Sequence, residues 1–307
     1  MRNQFADVLY ETGRQDDRIV ALVADISPAG SMVKFREEFP DRFVNVGVAE
    51  QALIGIAAGL ALRGFRPFAY TIATFSLYRP FEMIRVDLAY QNLPVTVIGM
   101  GAGVIYSTLG GTHHTMEDIA VASAIPNMTV LAPCDPAEMR LATQWCARDS
   151  QGPVYMRLGK AGEPDLTSRA IDPFEIGRIR RITAGTGTCI LSYGITVAMA
   201  LDVAARIEAA TGVAPTVACV HTIKPLDIET VTRMIQTHDR VVIIEEHVPH
   251  GGLSSRIKEI ACDMRTGADI RAFTLQDRFI HLYGGHAELL AAHGLEAGRI
   301  AAALGAG

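Results

Sequence analysis

Short apolar runs alternate with longer stretches of helical period along most of this chain. Residues 1–18 read as a helix, and Ile19-Val20-Ala21-Leu22-Val23-Ala24-Asp25 as a buried strand closing on a turn at 26–31. The rhythm continues with strand 43–46, helix 49–63, strand 67–72, helix 79–91 and strand 95–100. After a glycine-rich loop at 101–111 come helix 116–124, strand 128–132, helix 136–148 and strand 153–158. A second series follows: strand 189–193, helix 196–211, strand 215–220, helix 227–237, strand 241–245, helix 253–266, strand 269–274 and short terminal helices. Apolar strands separated by helices predict an α/β protein whose mainly parallel sheets are covered on both faces. The 163–183 stretch carries Pro164, Pro173 and mixed charge without periodicity, so it reads as a linker. It separates a domain at 1–162 from one at 184–307.

The stretch with the most unusual pattern runs from Phe43 to Gly59, where an apolar strand enters a helix with one carboxylate, Glu50, at the junction. Leu53, Ile54, Ile56, Ala57, Leu60 and Ala61 make this helix apolar on most sides, which predicts that it is largely buried. Gly55 and Gly59 would let another backbone pack closely. Two explanations for Glu50 stand side by side. With Gly47 as N-cap it occupies the third helical position and caps the helix. Alternatively it is an acid in a dry pocket, able to hold or pass a proton.

In open parallel sheets ligands bind beyond the carboxyl ends of the strands. Asp25, Glu50, Phe75 and the 101–114 loop all follow strand ends, and this convergence favours the second explanation. Phe75, Tyr78 and Phe81 stand three apart, a spacing that would put them on one helical face able to floor a flat heteroaromatic ligand. The bland alternative is ordinary core packing. The 101–114 loop ends in His113-His114, but adjacent histidines without Cys or carboxylate companions make a poor zinc site. No phosphate-binding or dinucleotide glycine fingerprint is present.

Composition narrows the classes further. The 307 residues are 49% hydrophobic, enough for an ample aliphatic core, and the net charge of -5 gives no footprint for nucleic acid. Five scattered cysteines without a C-x-x-C pair read as reduced structural thiols. With neither a signal-peptide pattern nor an apolar run of membrane-spanning length, the chain reads as soluble and cytoplasmic. Trp145 reads as helix packing, and His221, His238, His281, His286 and His293 as surface or structural histidines.

Taken in order, Asn45-Val46-Gly47-Val48-Ala49-Glu50-Gln51, the Thr74-Phe75 aromatic cluster and Gly111-Thr112-His113 resemble the pyrimidine-binding domain of transketolase-like enzymes. Ile125-Pro126-Asn127-Met128, Ala132-Pro133-Cys134-Asp135 and Tyr155-Met156-Arg157 agree. Lys224-Pro225-Leu226-Asp227, Glu245-Glu246-His247 and Gly251-Gly252-Leu253 resemble the transketolase C-terminal domain. The resemblance covers nearly the whole chain. It implies thiamin diphosphate chemistry, in which Glu50 hydrogen-bonds N1′ of the aminopyrimidine and so promotes deprotonation of the thiazolium C2. It further implies that Phe75 stacks on the pyrimidine, that Tyr78, Phe81 and Val48 complete the cofactor pocket, and that Asp25 lies near the thiazolium. By the same resemblance His113 is catalytic and faces the substrate, and Arg157 receives a sugar phosphate. The Glu245-Glu246-His247 cluster, which holds no cofactor in that family, reads as interface or structural.

The Gly-Asp-Gly…Asn-Asn motif that holds diphosphate and Mg²⁺ in this family does not occur in the sequence. The resemblance therefore implies the C-terminal-half subunit of a split transketolase. Its site would form with an N-terminal-half subunit that holds the Mg²⁺, in an α2β2 assembly acting on sugar phosphates. Three positions depart from the family pattern: Leu109 replaces a hydroxyl-reading aspartate, Gly101 a histidine, and Ala29 a small polar residue, with Ser31 close by as a substrate contact. Such losses change which sugar is accepted. Three alternatives stay open: a 1-deoxy-xylulose-5-phosphate synthase-like enzyme, a 2-oxo acid dehydrogenase β-like subunit, and a non-catalytic scaffold of the same fold. A monovalent cation in the second domain is neither implied nor excluded.

Overall fold

Two sheets organise the chain in its computed structural model, which describes residues 1–27, 30 and 32–306. The first contains β1 (Ile19–Val23), β2 (Phe43–Asn45), β3 (Arg66–Ile72), β4 (Thr96–Met100), β5 (Thr129–Leu131) and β6 (Val154–Leu158). The second contains β7 (Arg180–Thr183), β8 (Thr188–Ser192), β9 (Thr216–Cys219), β11 (Arg240–Ile244) and β12 (Asp269–Phe273). Between β9 and β11 in the chain, β10 (Thr222–Lys224) crosses over to complete the first sheet.

The first sheet has the order β10-β5-β6-β4-β3-β1-β2, and all its pairings except β10 with β5 are parallel. Strands β1, β4 and β6 are buried at every position, as expected of largely apolar strands covered on both faces. Alternate residues feed the two layers: Val20 and Leu22 pack on one side with Leu53, Ile54 and Leu88, while Ile19, Ala21 and Val23 pack on the other with Phe5, Leu9 and Phe35. The second sheet, of order β12-β11-β8-β9-β7, has its own helical cover, in which Val203, Leu289 and Ile300 meet Ile190 and Val242.

Three features depart from the sequence reading. The 163–183 stretch ends in β7, the antiparallel edge of the second sheet, and Asp135 ties it down by accepting the backbone N–H groups of Leu166 and Thr167. Strand β10 is too short, and too close to Pro225, to register as a strand by pattern. The predicted helix 79–91 begins at Phe81 and its winding widens to i→i+5 from Ile84 to Tyr90, while a separate short helix, Ala73–Leu77, precedes it. Pro80 has no N–H to continue the ladder between the two.

The domain seam is extensive. Besides the β5–β10 pairing, Lys224 Nζ donates to the carbonyls of Ser123 and Ile125, and the backbone of Val248 donates to Met116. Glu246 accepts the backbone N–H of Val104 at 2.7 Å and pairs with His286 at 2.8 Å. Gly103, at φ +73°, allows this approach, since a Cβ there would meet the Glu246 carboxyl carbon at 2.4 Å.

Candidate active site

The strands β4, β3, β1 and β2 lie side by side, so the segments leaving their carboxyl ends converge. Asp25 follows β1, Glu50 follows β2, Phe75 follows β3 and the 101–114 loop follows β4. Asn45 holds two of these turns together: its Oδ1 accepts the backbone N–H of Asp25 at 3.1 Å and of Gly47 at 3.0 Å. Both turns use left-handed backbone, at φ 45° for Asp25 and φ 71° for Gly47. In the sequence Asn45 belongs to a motif without an evident task of its own. Its signal is the pairing of a short amide side chain with a glycine two residues later.

Glu50 is 4% exposed and is the first residue of the helix Glu50–Leu62. The cap is Ala49, which makes no side-chain cap hydrogen bond, and Glu50 is the first helical residue rather than the third-position acid expected. Its carboxylate turns instead to Arg79, whose Nη1 donates to Oε1 at 2.7 Å. The helix itself is not buried on most sides. Its Leu53, Ile54 and Ala57 side chains pack inward, whereas Ile56 and Leu62 are exposed and the Cβ positions of Gly55 and Gly59 face open space. The sequence is apolar all round, so periodicity gave no sign that one side faces outward.

Arg79 lies over Phe75, its Cζ 4.1 Å from the ring centroid. The His113 ring meets Phe75 edge-on at 5.2 Å between centroids, and Tyr106 flanks His113 at 6.0 Å. The structure thus links Glu50, Arg79, Phe75 and His113 in one continuous cluster. Burial and the neighbouring Arg79 charge lower the His113 pKa, favouring the neutral imidazole, and its Nδ1 lies 2.9 Å from Thr112 Oγ1. Arg79 was missed in the sequence; the signal available was a lone cation inside an aromatic run.

Tyr78 closes the helix that carries Phe75, one turn further on, whereas Phe81 lies beyond the break at Pro80 and does not continue the face of Phe75 on one α-helix. Both pack against the core beneath, and the Tyr78 hydroxyl donates to Glu117 at 2.9 Å. Asp25 is exposed, and Val48, at 72% exposure, projects from the turn before Glu50. Ser31 and Ala29 lie outside the described residues.

Arg157 makes its hydrogen bonds to residues outside this cluster. It is buried, with Nε donating to Asp118 Oδ2 at 2.9 Å and Nη2 to the Glu246 carbonyl at 2.9 Å. A guanidinium engaged in this way joins the domains, and those two donors are not free for a phosphate. Gly101 adopts φ +69°, and a Cβ there would meet the Tyr106 ring at 2.2 Å, so the aromatic ring takes the room that a side chain at this position would need. Leu109 is exposed on a short turn at Ser107–Leu109.

The second-domain cluster is structural. Glu245 accepts the backbone N–H groups of Leu253 and Ser254 at 2.9 Å each, capping the helix Leu253–Asp263. His247 accepts the Ala120 N–H across the seam at 3.3 Å. Of the remaining histidines, His221 is buried and stacked on Phe174, and His286 pairs with Glu246. Among the described residues, the His/Cys/Asp/Glu trio close enough to share a metal ion is Cys134, Glu138 and Cys219, all buried at the seam. A soft thiolate pair does not fit Mg²⁺, which takes hard oxygen ligands.

Comparison with known proteins places this architecture. Residues 1–162 match the transketolase pyrimidine binding domain, and residues 177–300 match the transketolase C-terminal domain. The chain belongs to the transketolase family. It is 33% identical over 295 residues to one of the subunits of the apulose-4-phosphate transketolase of Phocaeicola vulgatus, covering 96% of this chain and 93% of that protein. It is 39% identical over 260 residues to the 6-deoxy-6-sulfo-D-fructose transketolase subunit SqwH of a Clostridium species, covering 84% and 80% respectively. A solved split-gene transketolase, described as an inactive β4 tetramer, superposes with a TM-score of 0.86 at 35% identity, covering 99% of this chain and 96% of that one. No helix among the described residues is long and apolar enough to cross a membrane.

Proposed function

We propose that this chain is the C-terminal-half subunit of a split transketolase, transferring a two-carbon ketol unit between phosphorylated sugars with thiamin diphosphate. The observation that carries this reading is that a buried carboxylate, Glu50, and a half-buried aromatic face, Phe75, meet on one planar nitrogen-bearing group. In the structure that group is the Arg79 guanidinium, and an aminopyrimidine offers the same flat face and in-plane nitrogen. Thiamin diphosphate, when bound, supplies a carbanion at the thiazolium C2 that can hold the ketol fragment.

Each residue then has a task set by its position. Glu50 holds or passes a proton at the pyrimidine N1′. Phe75 supports the ring, while Val48 and Asp25 line the turns on either side. His113, whose neutral form is favoured by burial and by the Arg79 charge, is half-buried beside Phe75 and faces the substrate as hydrogen-bond partner and proton carrier. Leu109 and Gly101 make the substrate side of the loop less polar, which favours a sugar with fewer hydroxyls to satisfy near the reacting carbon.

Nothing among the described residues fits Mg²⁺, so the metal and the diphosphate fall to an N-terminal-half partner. The outward side of the Glu50 helix, with Val48, Ile56, Leu62 and the open glycines, is the face that such a partner would cover, in an α2β2 assembly. A 1-deoxy-xylulose-5-phosphate synthase of Oleidesulfovibrio alaskensis is 34% identical over 279 residues, but this chain covers only 43% of its length. A decarboxylating reaction is therefore the second reading.

The test is a thiamin diphosphate and Mg²⁺ titration of this chain, of an N-terminal-half transketolase subunit, and of their mixture, followed by a sugar-phosphate transfer assay. Binding in the mixture alone, with two-carbon transfer and no CO₂ release from pyruvate, supports the proposal. Tight binding by the isolated chain, or CO₂ release, overturns it.

A further inference from the structure

Arg79 makes both of the contacts that the preceding reading gives to the aminopyrimidine. Its guanidinium lies 4.1 Å from the Phe75 centroid, and its Nη1 sits 2.7 Å from Glu50 Oε1. A guanidinium is flat, delocalised and edged with N–H donors, so it stacks and pairs in one pose as a protonated or amino-bearing heterocycle does. The face of Phe75 that carries the guanidinium has no room for a second flat group stacked on it. The first must leave before the second enters.

We propose that Arg79 is a displaceable placeholder: it closes over Glu50 and Phe75 in the cofactor-free subunit and swings out when thiamin diphosphate binds. This inference rests on the proposed function. The side chain is 46% exposed while its partner carboxylate is 5% exposed, so one end of the pair is anchored and the other is free to turn into solvent at little packing cost. The arrangement has a purpose in a subunit made separately from its partner. A buried carboxylate without counter-charge and a bare aromatic face are both costly in water, and Arg79 covers both until assembly. Phe75 is held edge-on by His113, so of the two groups on the Glu50–Phe75 site Arg79 is the one free to move.

The experiment compares wild type, Arg79→Lys and Arg79→Ala in the assembled two-subunit protein, reading thiamin diphosphate affinity at saturating Mg²⁺. The melting temperature of each chain alone is read alongside. Removing a competitor should tighten cofactor binding, by roughly three- to tenfold for Arg79→Ala, while lowering the melting temperature of the cofactor-free chain. Arg79→Lys keeps the charge but loses the planar stack, and it should fall between. Unchanged or weaker affinity in Arg79→Ala, with wild type binding normally, overturns the placeholder and leaves the proposed function standing. Absence of binding in wild type and variants alike overturns both.

Discussion

Arg157 and Asp118 form a buried ion pair, Nε to Oδ2 at 2.9 Å, in which the side chains are 7% and 0% exposed. The Tyr155 hydroxyl donates to the same oxygen at 2.8 Å, and Arg157 reaches on to the Glu246 carbonyl in the second domain. Burial works against the Arg157 charge, but Asp118 outweighs it and holds the guanidinium pKa above its ordinary value. Asp118→Ala leaves that charge uncompensated in a dry seam, at a cost of about 3–5 kcal/mol. Asp118→Ala with Arg157→Met, which removes both charges, should recover much of the loss. Thermal melts of the three proteins check this. Equal stability of Asp118→Ala and wild type would mean that water reaches the pair.

Glu50 is the residue whose change should separate chemistry from architecture. Glu50→Ala in the assembled enzyme is expected to reduce turnover by roughly 10²–10⁴-fold, as removal of a proton-transfer group does, while the subunits still associate. An inert substitution would revive the scaffold reading, in which the fold is kept without its reaction.

The parallel sheets were legible because buried strands flanked by helices leave an unbroken apolar run, such as Ile19–Val23. The meeting of Glu50, Phe75 and His113 was legible from strand-end positions and from family motifs. What escaped was of a different kind. Arg79 finds Glu50 29 residues away through a helix broken at Pro80, and periodicity assumes an unbroken helix. Arg157 carries a phosphate-reader's chemistry but faces Asp118 across the fold, a contact 39 residues apart that no local pattern encodes. The open side of the Glu50 helix looked like core because Ile56, Leu62 and the glycines leave the sequence apolar all round, although these residues face outward.

His221 sets an acid limit on stability. Burial, with the Arg180 charge, lowers its pKa from 6.5 to about 3, and Nδ1 lies 3.0 Å from Thr222 Oγ1. A histidine depressed in the folded state contributes stability above the unfolded value and loses it as pH falls from there toward the folded value. The window is therefore about pH 6.5 down to 3, and the difference corresponds to roughly 4–5 kcal/mol. His286 runs the other way. Burial pulls it down, but the hydrogen bond to Glu246 prevails and raises it, so its contribution is complete below the unfolded value and is lost as pH rises through the folded one. Denaturant titrations across pH should show His221→Phe flattening the acid limb and His286→Gln flattening the neutral-to-alkaline limb. An acid limb unchanged in His221→Phe would assign it to carboxylates instead.

The thiols give a probe of the domain seam. Cys134 follows β5, Cys219 ends β9, and both converge on Glu138, whose Oε2 accepts from the Cys219 thiol at 3.3 Å and from the Cys134 N–H at 3.1 Å. Arg180 reaches the other carboxylate oxygen at 3.3 Å. The Cys219 thiol draws the Cys134 pKa down, but burial and the nearby carboxylates prevail and push it up to about 12; burial likewise pushes Cys146 and Cys189 up to about 12. Since the thiolate is the nucleophile, these four cysteines should resist a thiol reagent at neutral pH while exposed Cys262 reacts at once. One equivalent of fast-reacting thiol is expected, and none in Cys262→Ser. Glu138→Ala removes the acceptor that both domains share and opens the seam, so Cys134 and Cys219 should then react together, well before global unfolding. Reaction of these two only at the unfolding midpoint would show that the domains separate and unfold as one unit, with Glu138 adding nothing to the seam.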